Sequence, residues 1–344
     1  MSYDMRDIAP RAMVLAACIV LATPVQAQGY AVARRFAVSG EGGWDYLAVD
    51  TTAHRLYVSR STHVMVLNTD DGTQVGDITG TAGVHGVAIA RDLGRGFTSN
   101  GRDSSVTIFD LATLATVGRV AVGGANPDAI LYEPGSHRVF TMNARSGTAT
   151  AIDGASGTVA GMVTLGGRPE FAVADDRGHV FVNLEDSSAV VEFDARTLQV
   201  VKHWSILPCE EPSGLALDRV HRRLFSVCGN GQMAVSDADA GRVVATLPIG
   251  RGVDGAAFDP ATQNAFASCG ADGVMTVVHE TSPGQFAVIA TVPTQRGART
   301  ITLDERTHRL YLSTASFGEP AAGQRRPPMI PGSFVVLEVA RGGS

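Results

Sequence analysis

The segment RLYVS, at residues 55–59, decides the fold, because six segments of the same pattern follow it along the chain. They are RGFTS (95–99), RVFTM (138–142), HVFVN (179–183), RLFSV (223–227), NAFAS (264–268) and RLYLS (309–313). Successive copies begin 40, 43, 41, 44, 41 and 45 residues apart. A period of this length is typical of repeat architectures, and the alternation of apolar with small or polar residues is typical of β-strands.

Further strands surround each copy. Segments such as VMVL (64–67), VTIF (106–109), ATAI (149–152) and VVEF (190–193) follow, and several of these third strands run into an aspartate and a glycine-containing turn. Four strands in about forty residues make the blade of a β-propeller. The pattern predicts an all-β, seven-bladed propeller with four antiparallel strands per blade, as a single domain over residues 28–344, and no long helix.

The ends of the chain predict how the ring closes. The last copy supplies three strands, the third at residues 334–339, whereas residues 31–38 form a spare strand before the first copy. We therefore expect the segment 28–43 to complete the last blade and remove an exposed sheet edge.

The N-terminal segment has the features of an export signal. An apolar run over residues 12–23 follows Arg11, and Val25-Gln26-Ala27 offers a small-residue cleavage site. We expect a signal peptide over residues 1–27, cleavage after Ala27, and a periplasmic or secreted protein without a membrane span. Cleavage before Cys18, as in lipoproteins, is the alternative.

Charge limits the partners that the sequence favours. The net charge is −6, only Lys202 among the 28 basic residues is lysine, and no basic cluster is present. The chain therefore lacks the electrostatic footprint of a nucleic-acid-binding protein. We expect a monomer.

Several phrases carry a family resemblance. The phrases are GWDY (43–46), PDA (127–129), PEF (169–171) and RGART (296–300). With the repeats, they resemble the YncE-like proteins of the YVTN β-propeller class over essentially all of residues 30–341. The resemblance implies an exported bacterial propeller, and the motifs that carry it are architectural rather than catalytic.

Equivalent positions in a closed ring face one axis, so the repeat predicts a site. Counting back five residues from the end of each first strand gives one rim position per blade: Asp45, Gly86, Asp128, Glu170, Ser213, Asp254 and Arg299, with His85 next to Gly86. We expect these side chains to converge at one mouth of the central channel.

Other loops should reach the same face. These candidates are Asn100, Asn143, Glu185, Glu210, Glu211 and Arg296. Converging carboxylates raise one another's pKa and suit a small polar or cationic ligand, a general acid or base, or a hard divalent cation. Glu170 and Glu185 are the strongest of these predictions.

Two further features bear on this face. Cys209 and Cys228 belong to one blade and could form a disulfide, although buried thiols, with Cys269, remain an alternative. The Pro-rich insertion at residues 318–332 could cover the mouth and present Arg325 and Arg326, or could be a solvated loop.

The sequence supports two functional hypotheses. The first is an exported binding or interaction protein whose channel mouth takes a small polar ligand or a periplasmic or outer-membrane protein. The second is a propeller enzyme of the lactonase, lyase or hydrolase type, with metal- or carboxylate-assisted catalysis at the same mouth.

Overall fold

The computed structural model describes residue 1 and residues 29–40, 42–319 and 327–342. These residues form seven antiparallel sheets of four strands each, arranged as the blades of a β-propeller. The predicted fold class is therefore confirmed. The predicted signal peptide, apart from Met1, and the central part of the insertion, with Arg325 and Arg326, lie outside the described residues.

The strands follow one another from the channel outward in each blade. Blade 1 contains β2 (Leu47–Asp50), β3 (Arg55–Ser59), β4 (Val64–Asn68) and β5 (Gln74–Ile78). Blade 2 contains β6 (Val84–Ala90), β7 (Arg95–Asn100), β8 (Ser105–Asp110) and β9 (Thr116–Ala121). Blade 3 contains β10 (Pro127–Glu133), β11 (Arg138–Asn143), β12 (Thr148–Asp153) and β13 (Val159–Thr164). Blade 4 contains β14 (Pro169–Ala174), β15 (His179–Leu184), β16 (Ala189–Asp194) and β17 (Val200–Ser205).

The remaining blades repeat this order. Blade 5 contains β18 (Pro212–Asp218), β19 (Arg223–Cys228), β20 (Gln232–Asp237) and β21 (Arg242–Pro248). Blade 6 contains β22 (Val253–Asp259), β23 (Asn264–Cys269), β24 (Val274–Ser282) and β25 (Gln285–Pro293). Blade 7 contains β26 (Ile301–Asp304), β27 (Arg309–Thr314) and β28 (Val335–Arg341), and its fourth strand is β1 (Tyr30–Ala37).

The N-terminal strand closes the ring as the sequence predicts. β1 pairs antiparallel with β28 from Tyr30 opposite Arg341 to Ala37 opposite Val335. The side chain of Arg34 also forms an ion pair with Glu338. Without this pairing, the outer edge of β28 would be unpaired and β1 would have no partner strand.

One aromatic residue in each second strand builds the core between blades. These residues are Tyr57, Phe97, Phe140, Phe181, Phe225, Phe266 and Tyr311, and each is at most 3% exposed. Because each blade packs against a neighbour on both faces, side chains on both faces of its second strand are buried. The large aromatic rings fill the space between neighbouring sheets, which widens away from the channel.

Basic side chains link neighbouring blades by hydrogen bonds at the end of the ring opposite the channel mouth. Arg95 of blade 2 donates to the carbonyl of Gly154 in the turn of blade 3, at 3.2 Å, and Arg138 of blade 3 donates to Ala195 of blade 4, at 2.7 Å. Blade 4 has His179 at the equivalent position, and Lys202 in its outer strand donates instead to Asp239 of blade 5, at 2.8 Å.

Helical structure is minimal among the described residues. Only two single 3-10 turns occur in them, at Arg91–Leu93 and Glu185–Ser187. No helix in the described part of the chain has the length and apolar character needed to cross a bilayer.

Candidate functional site

The rim of the channel is set by an irregularity that five first strands share. In blade 3, Pro127 lies opposite Asn143, but the regular register resumes only at Ile130 opposite Thr141. The same shift occurs in blades 2, 4, 5 and 6. β-Bulges of this kind turn side chains out of the regular alternation of the strand. In blade 3 the bulge contains Asp128, one of the residues predicted to lie at the rim.

The register corrects one sequence-based assignment. Val84 lies opposite Asn100 as Pro127 lies opposite Asn143. His85, rather than Gly86, is therefore the equivalent of Asp128. The count from the sequence was wrong by one residue because it started at Arg91, whereas Ala90 pairs with Arg95 as Glu133 pairs with Arg138. We use the name rim residues for the corrected set: Asp45, His85, Asp128, Glu170, Ser213, Asp254 and Arg299.

Second-strand hydroxyl and amide groups hold the rim backbone in place. The Ser59 hydroxyl accepts the N–H of Asp45 and donates to the carbonyl of Tyr46, both at 3.0 Å. Ser99 donates to the carbonyl of Asp128, and Ser268 to that of Arg299. These bonds join the second strands of blades 1, 2 and 6 to the rim of the same or the next blade, and they hold the rim backbone in a defined position.

An imidazole lies between two carboxylates on one side of the rim. His85 Nδ1 is 2.7 Å from Asp45 Oδ2 and 3.5 Å from Asp128 Oδ1. Burial lowers the pKa of His85, but the hydrogen bond with Asp45 and the charge of Asp128 more than offset this and leave it raised. Ligand atoms of these three residues lie within 4.8 Å of one another, so they could hold a metal ion.

A guanidinium lies on the opposite flank of Asp45. Arg299 Nη1 is 3.2 Å from Asp254 Oδ2, and Arg299 Nη2 is 3.5 Å from Asp45 Oδ1. Burial opposes the charged guanidinium, yet the carboxylates of Asp254 and Asp45 raise the pKa of Arg299. Its charge is thus shared between two acids.

Arg168 connects the two acids that the sequence favoured most. Its Nη2 lies 2.9 Å from Glu185 Oε2, at an angle that makes an ion pair rather than a hydrogen bond, and 3.9 Å from Glu170 Oε2. Glu170 Oε2 is buried and accepts no hydrogen bond within the described structure. Arg168 was missed in the sequence, although it stands two residues before Glu170.

The site carries more negative charge than its cations balance. Burial raises the pKa of Asp128 to about 6 and that of Asp254 to about 6, against the opposing charges of His85 and Arg299. Burial, together with the charges of Asp128, Asp254 and Glu185, raises the pKa of Glu170 to about 8. Five carboxylates face two guanidinium groups, so three negative charges are uncompensated when all the acids are ionised and His85 is neutral.

Two aromatic rings close the channel below the rim. Tyr46 of blade 1 packs edge-on against Phe171 of blade 4, with ring centroids 5.1 Å apart. Blades three positions apart in a seven-membered ring touch only across the axis, so this pair forms the floor of a cup. The two residues follow Asp45 and Glu170 directly, where the other blades have Gly86, Ala129, Gly214, Gly255 and Thr300. The presence of a large aromatic side chain at this position in only two blades is visible in the sequence and could have predicted the floor of the cup.

The structure does not bring four of the predicted residues into the cup. Asn100 is fully buried, and its amide bonds to Ser105 and Thr107 of its own blade. Asn143 is fully buried too, and bonds to Thr148 and Thr150 in the same way. Glu210 and Glu211 are exposed, and no described contact ties their side chains to the rim.

The cysteines lie beside the rim. Cys209 and Cys228 are joined in a disulfide, with Cα atoms 5.5 Å apart, and Cys269 is a buried free thiol. Gly250 occupies in blade 6 the place that Cys209 has in blade 5, three residues before the first strand, and a Cβ built there would lie 2.7 Å from the Cβ of Cys269. The bridge is therefore confined to blade 5 because its partner position in blade 6 is a glycine.

Comparisons with known proteins show the fold. No protein-family model matches the chain, and no curated protein matches it in sequence. Among solved structures, the RRP9 WD40 repeats are similar, with a TM-score of 0.75 and 11% identity over 91% of this chain and 99% of that one. U3-55K has a TM-score of 0.74 and 11% identity, over 90% of this chain and 99% of that one.

A third similar structure comes from a bacterial enzyme. The Kuenenia stuttgartiensis hydrazine synthase has a TM-score of 0.70 and 15% identity, over 80% of this chain and 94% of that one. At such identities the likeness extends to the fold alone. The chain is a seven-bladed β-propeller whose solved neighbours include WD40 propellers.

Proposed function

We propose that this protein is an exported propeller of the YncE-like YVTN type, and that the acidic cup at its channel mouth binds a small cation. The observation that carries the proposal is the excess of buried carboxylates. Asp128, Glu170 and Asp254 all have raised pKa values, which means that ionising them in the folded protein costs free energy. A cation in the cup would remove that cost.

The cup also has the shape that such a ligand needs. The floor of the cup is formed by the rings of Tyr46 and Phe171, and an aromatic face attracts ammonium groups. The carboxylates stand above this floor on a rigid backbone. A small ammonium compound is therefore the ligand that we expect.

Calorimetric titration with hexylamine, a simple alkylammonium, tests the proposal. At pH 7 Glu170 is largely protonated, so binding should release protons, and the measured heat should depend on the ionisation enthalpy of the buffer. Glu170→Gln should lower the affinity and abolish most of the proton release. Glu305→Gln, on an exposed turn, is the matched control and should bind as the unmodified protein does. Absence of hexylamine binding would refute the proposal.

A divalent metal ion is the second cation that the cup could hold. The imidazole of His85 between the carboxylates of Asp45 and Asp128 offers three ligand atoms. Metal analysis of the purified protein should then find bound metal that Asp128→Asn removes. Glu185→Gln, which alters the Arg168 side of the cup, should retain it.

A lactonase, lyase or hydrolase is the alternative function, and Glu170 favours it specifically. A carboxyl group with a pKa of about 8 is protonated at neutral pH and can serve as a general acid. The Asp45–His85 pair, 2.7 Å apart, can serve as a base. A lactone-hydrolysing activity that disappears in both Glu170→Gln and His85→Gln would support this function, and retention of the activity in both would exclude it.

The cellular placement belongs to the same proposal. We infer a periplasmic or secreted monomer with residues 28–344 as its mature domain, acting on a small ligand or on a periplasmic or outer-membrane protein. Mass spectrometry of the protein from cells should show an N-terminus at Gln28. A lipid-modified N-terminus at Cys18 would establish the lipoprotein alternative instead.

A further inference from the structure

A cavity beside the acidic cup extends the site towards blade 7. It has a volume of about 390 Å³ and lies between the loops of blades 6 and 7. Its wall includes the rim residue Arg299, so the cavity and the cup share a side chain. The other residues that matter here are Arg296, Phe317, Pro327, Gly270 and Ala271.

Glycines in the surrounding loops allow close contacts in the wall of this cavity. A Cβ at Gly297, which has a φ of +87°, would lie 2.6 Å from the ring of Phe317. A Cβ at Gly270 would lie 2.9 Å from the Cβ of Arg299. Phe317 and Arg299 can therefore pack directly against glycine backbone, and these two contacts position two walls of the cavity.

The two arginines of this sequence differ in their electrostatic state. Arg299 is shared between Asp254 and Asp45, as described above. Arg296 is exposed, and no carboxylate of the described residues lies within ion-pair distance of its guanidinium. The cavity wall thus contains a guanidinium group that forms no ion pair with a described carboxylate, whereas the cup next to it carries an excess of negative charge.

Much of the cavity wall is apolar. Phe317, Pro327 and Ala271 line it together with Arg296 and Arg299. A ligand that reached both charges would have to carry an ammonium group and a carboxylate joined by an apolar segment.

We propose that the cup and this cavity form one composite site for a small zwitterion, an amino carboxylate whose two charges are separated by a short hydrocarbon chain. The ammonium group lies among the carboxylates of the rim, the chain packs on Phe317 and Pro327, and the carboxylate pairs with Arg296. The ammonium half of this inference rests on the proposed function; the carboxylate half rests on Arg296 and the cavity.

Three probes of equal chain length test the inference by calorimetry. They are 6-aminohexanoate, which carries both charges, hexylamine, which lacks the carboxylate, and hexanoate, which lacks the ammonium. Because Arg296 is exposed, its ion pair with the carboxylate is screened by solvent, so 6-aminohexanoate should bind up to about fivefold more tightly than hexylamine. Hexanoate should bind most weakly, because it faces the acidic cup without an ammonium group.

The matched variants are Arg296→Gln and Arg251→Gln. Arg296→Gln should reduce the preference for 6-aminohexanoate over hexylamine to about one. Arg251 is exposed, pairs with Asp272 at 2.8 Å, and lies outside the cavity, so Arg251→Gln should keep the full preference. Thermal melting should show both variants folded, since both side chains are on the surface.

The outcomes separate the two proposals. If hexylamine binds but 6-aminohexanoate has no advantage, or if Arg296→Gln keeps that advantage, the zwitterion site is wrong and the cation site stands. If neither amine binds, both proposals fail. Filling the cavity with Ala271→Phe provides a second variant, and it should also remove the advantage of 6-aminohexanoate.

Discussion

At the end of the ring opposite the mouth, aspartates close the turns after the third strands, and backbone N–H groups donate to them. The Asp153 carboxylate accepts from the N–H of Ser156 at 2.7 Å, and that of Asp194 from the N–H of Thr197 at 2.6 Å. These bonds lower the pKa of both groups. At the mouth, no backbone N–H in the described structure donates to the carboxylates of Asp128, Glu170 or Asp254, and the pKa of each is raised.

The same chemical group is therefore stabilising at one end of the molecule and costly at the other. Turn aspartates secure the repeat, and their charge is balanced by the donors that surround them. The mouth carboxylates lack such donors and repel one another, so folding alone does not explain their presence. Residues that destabilise the fold in this way are typical of binding and catalytic sites.

The largest expected effect comes from Glu170→Gln at high pH. The folded protein holds the Glu170 proton more tightly than the unfolded chain does, so the free energy of unfolding falls as pH rises from about 4.5 to about 8. A neutral glutamine avoids this loss and should stabilise the protein by about 4 kcal/mol at pH 9, with little effect at pH 4. Chemical unfolding at both pH values measures this. Equal effects at pH 4 and pH 9 would contradict the origin that we assign to it.

The disulfide next to the mouth should give the second largest effect. Cys209 and Cys228 close a loop across 19 residues of sequence, and the loss of such a bridge costs about 3 kcal/mol. The double variant Cys209→Ser/Cys228→Ser should melt at a correspondingly lower temperature. Cys269→Ser, at the equivalent position of the next blade, is the control and should cost less, about 1 kcal/mol. Equal losses in the two variants would show that the bridge does not brace the mouth.

Asp153→Ala tests the opposite end of the comparison. It removes hydrogen bonds to the N–H and the hydroxyl of Ser156, and should cost about 1–2 kcal/mol at neutral pH. Because the pKa of Asp153 is lowered in the folded protein, its contribution is present above pH 4 and is lost as pH falls further. Unfolding measurements from pH 3 to pH 8 should show the variant and the unmodified protein converging at the acidic end, the reverse of the Glu170→Gln profile.

Lys202→Gln should give the smallest effect. The ammonium of Lys202 donates to the carbonyls of Asp239 at 2.8 Å and Ala238 at 3.4 Å, and pairs with Glu192. Its side chain is 38% exposed, so we expect a loss below about 1 kcal/mol. Arg242→Gln, also on an outer strand, is the control. A loss of stability as large as that from the disulfide would mean that these hydrogen bonds, rather than the apolar core, hold blades 4 and 5 together.

The repeat predicted the fold well because each blade depends on local, regular patterns. Seven second strands with equivalent aromatic residues specify seven equivalent sheets, and the spare strand at the N-terminus had one edge to cover. The rim was predicted with one error, at His85, because blade 2 has Ala90 where the other blades have an acidic residue, so the count started one residue too late there.

Contacts between loops and across the channel axis were the part that the sequence could not supply. Arg168 meets Glu185 from a different loop, and Tyr46 meets Phe171 across the channel axis. Asn100 and Asn143 were expected at the mouth because of where they stand in the repeat. Their amides bond inward to threonine and serine hydroxyls of the same blade instead, which depends on side-chain direction rather than on position.

The closing strand determines when this protein can finish folding. The pairing of β1 with β28 joins Arg34 to Glu338, 304 residues away. Blades 1 to 6 are hairpins of neighbouring strands and can form one after another during synthesis. In blade 7, β1 cannot join the sheet until residues 335–341 have been made, because β28 lies between β27 and β1. Loop closure over such a distance costs little more free energy than over half of it, yet it must wait for the last strand. Ring closure is thus the final folding event of a nascent chain, and until it occurs the arc exposes a free sheet edge to other chains.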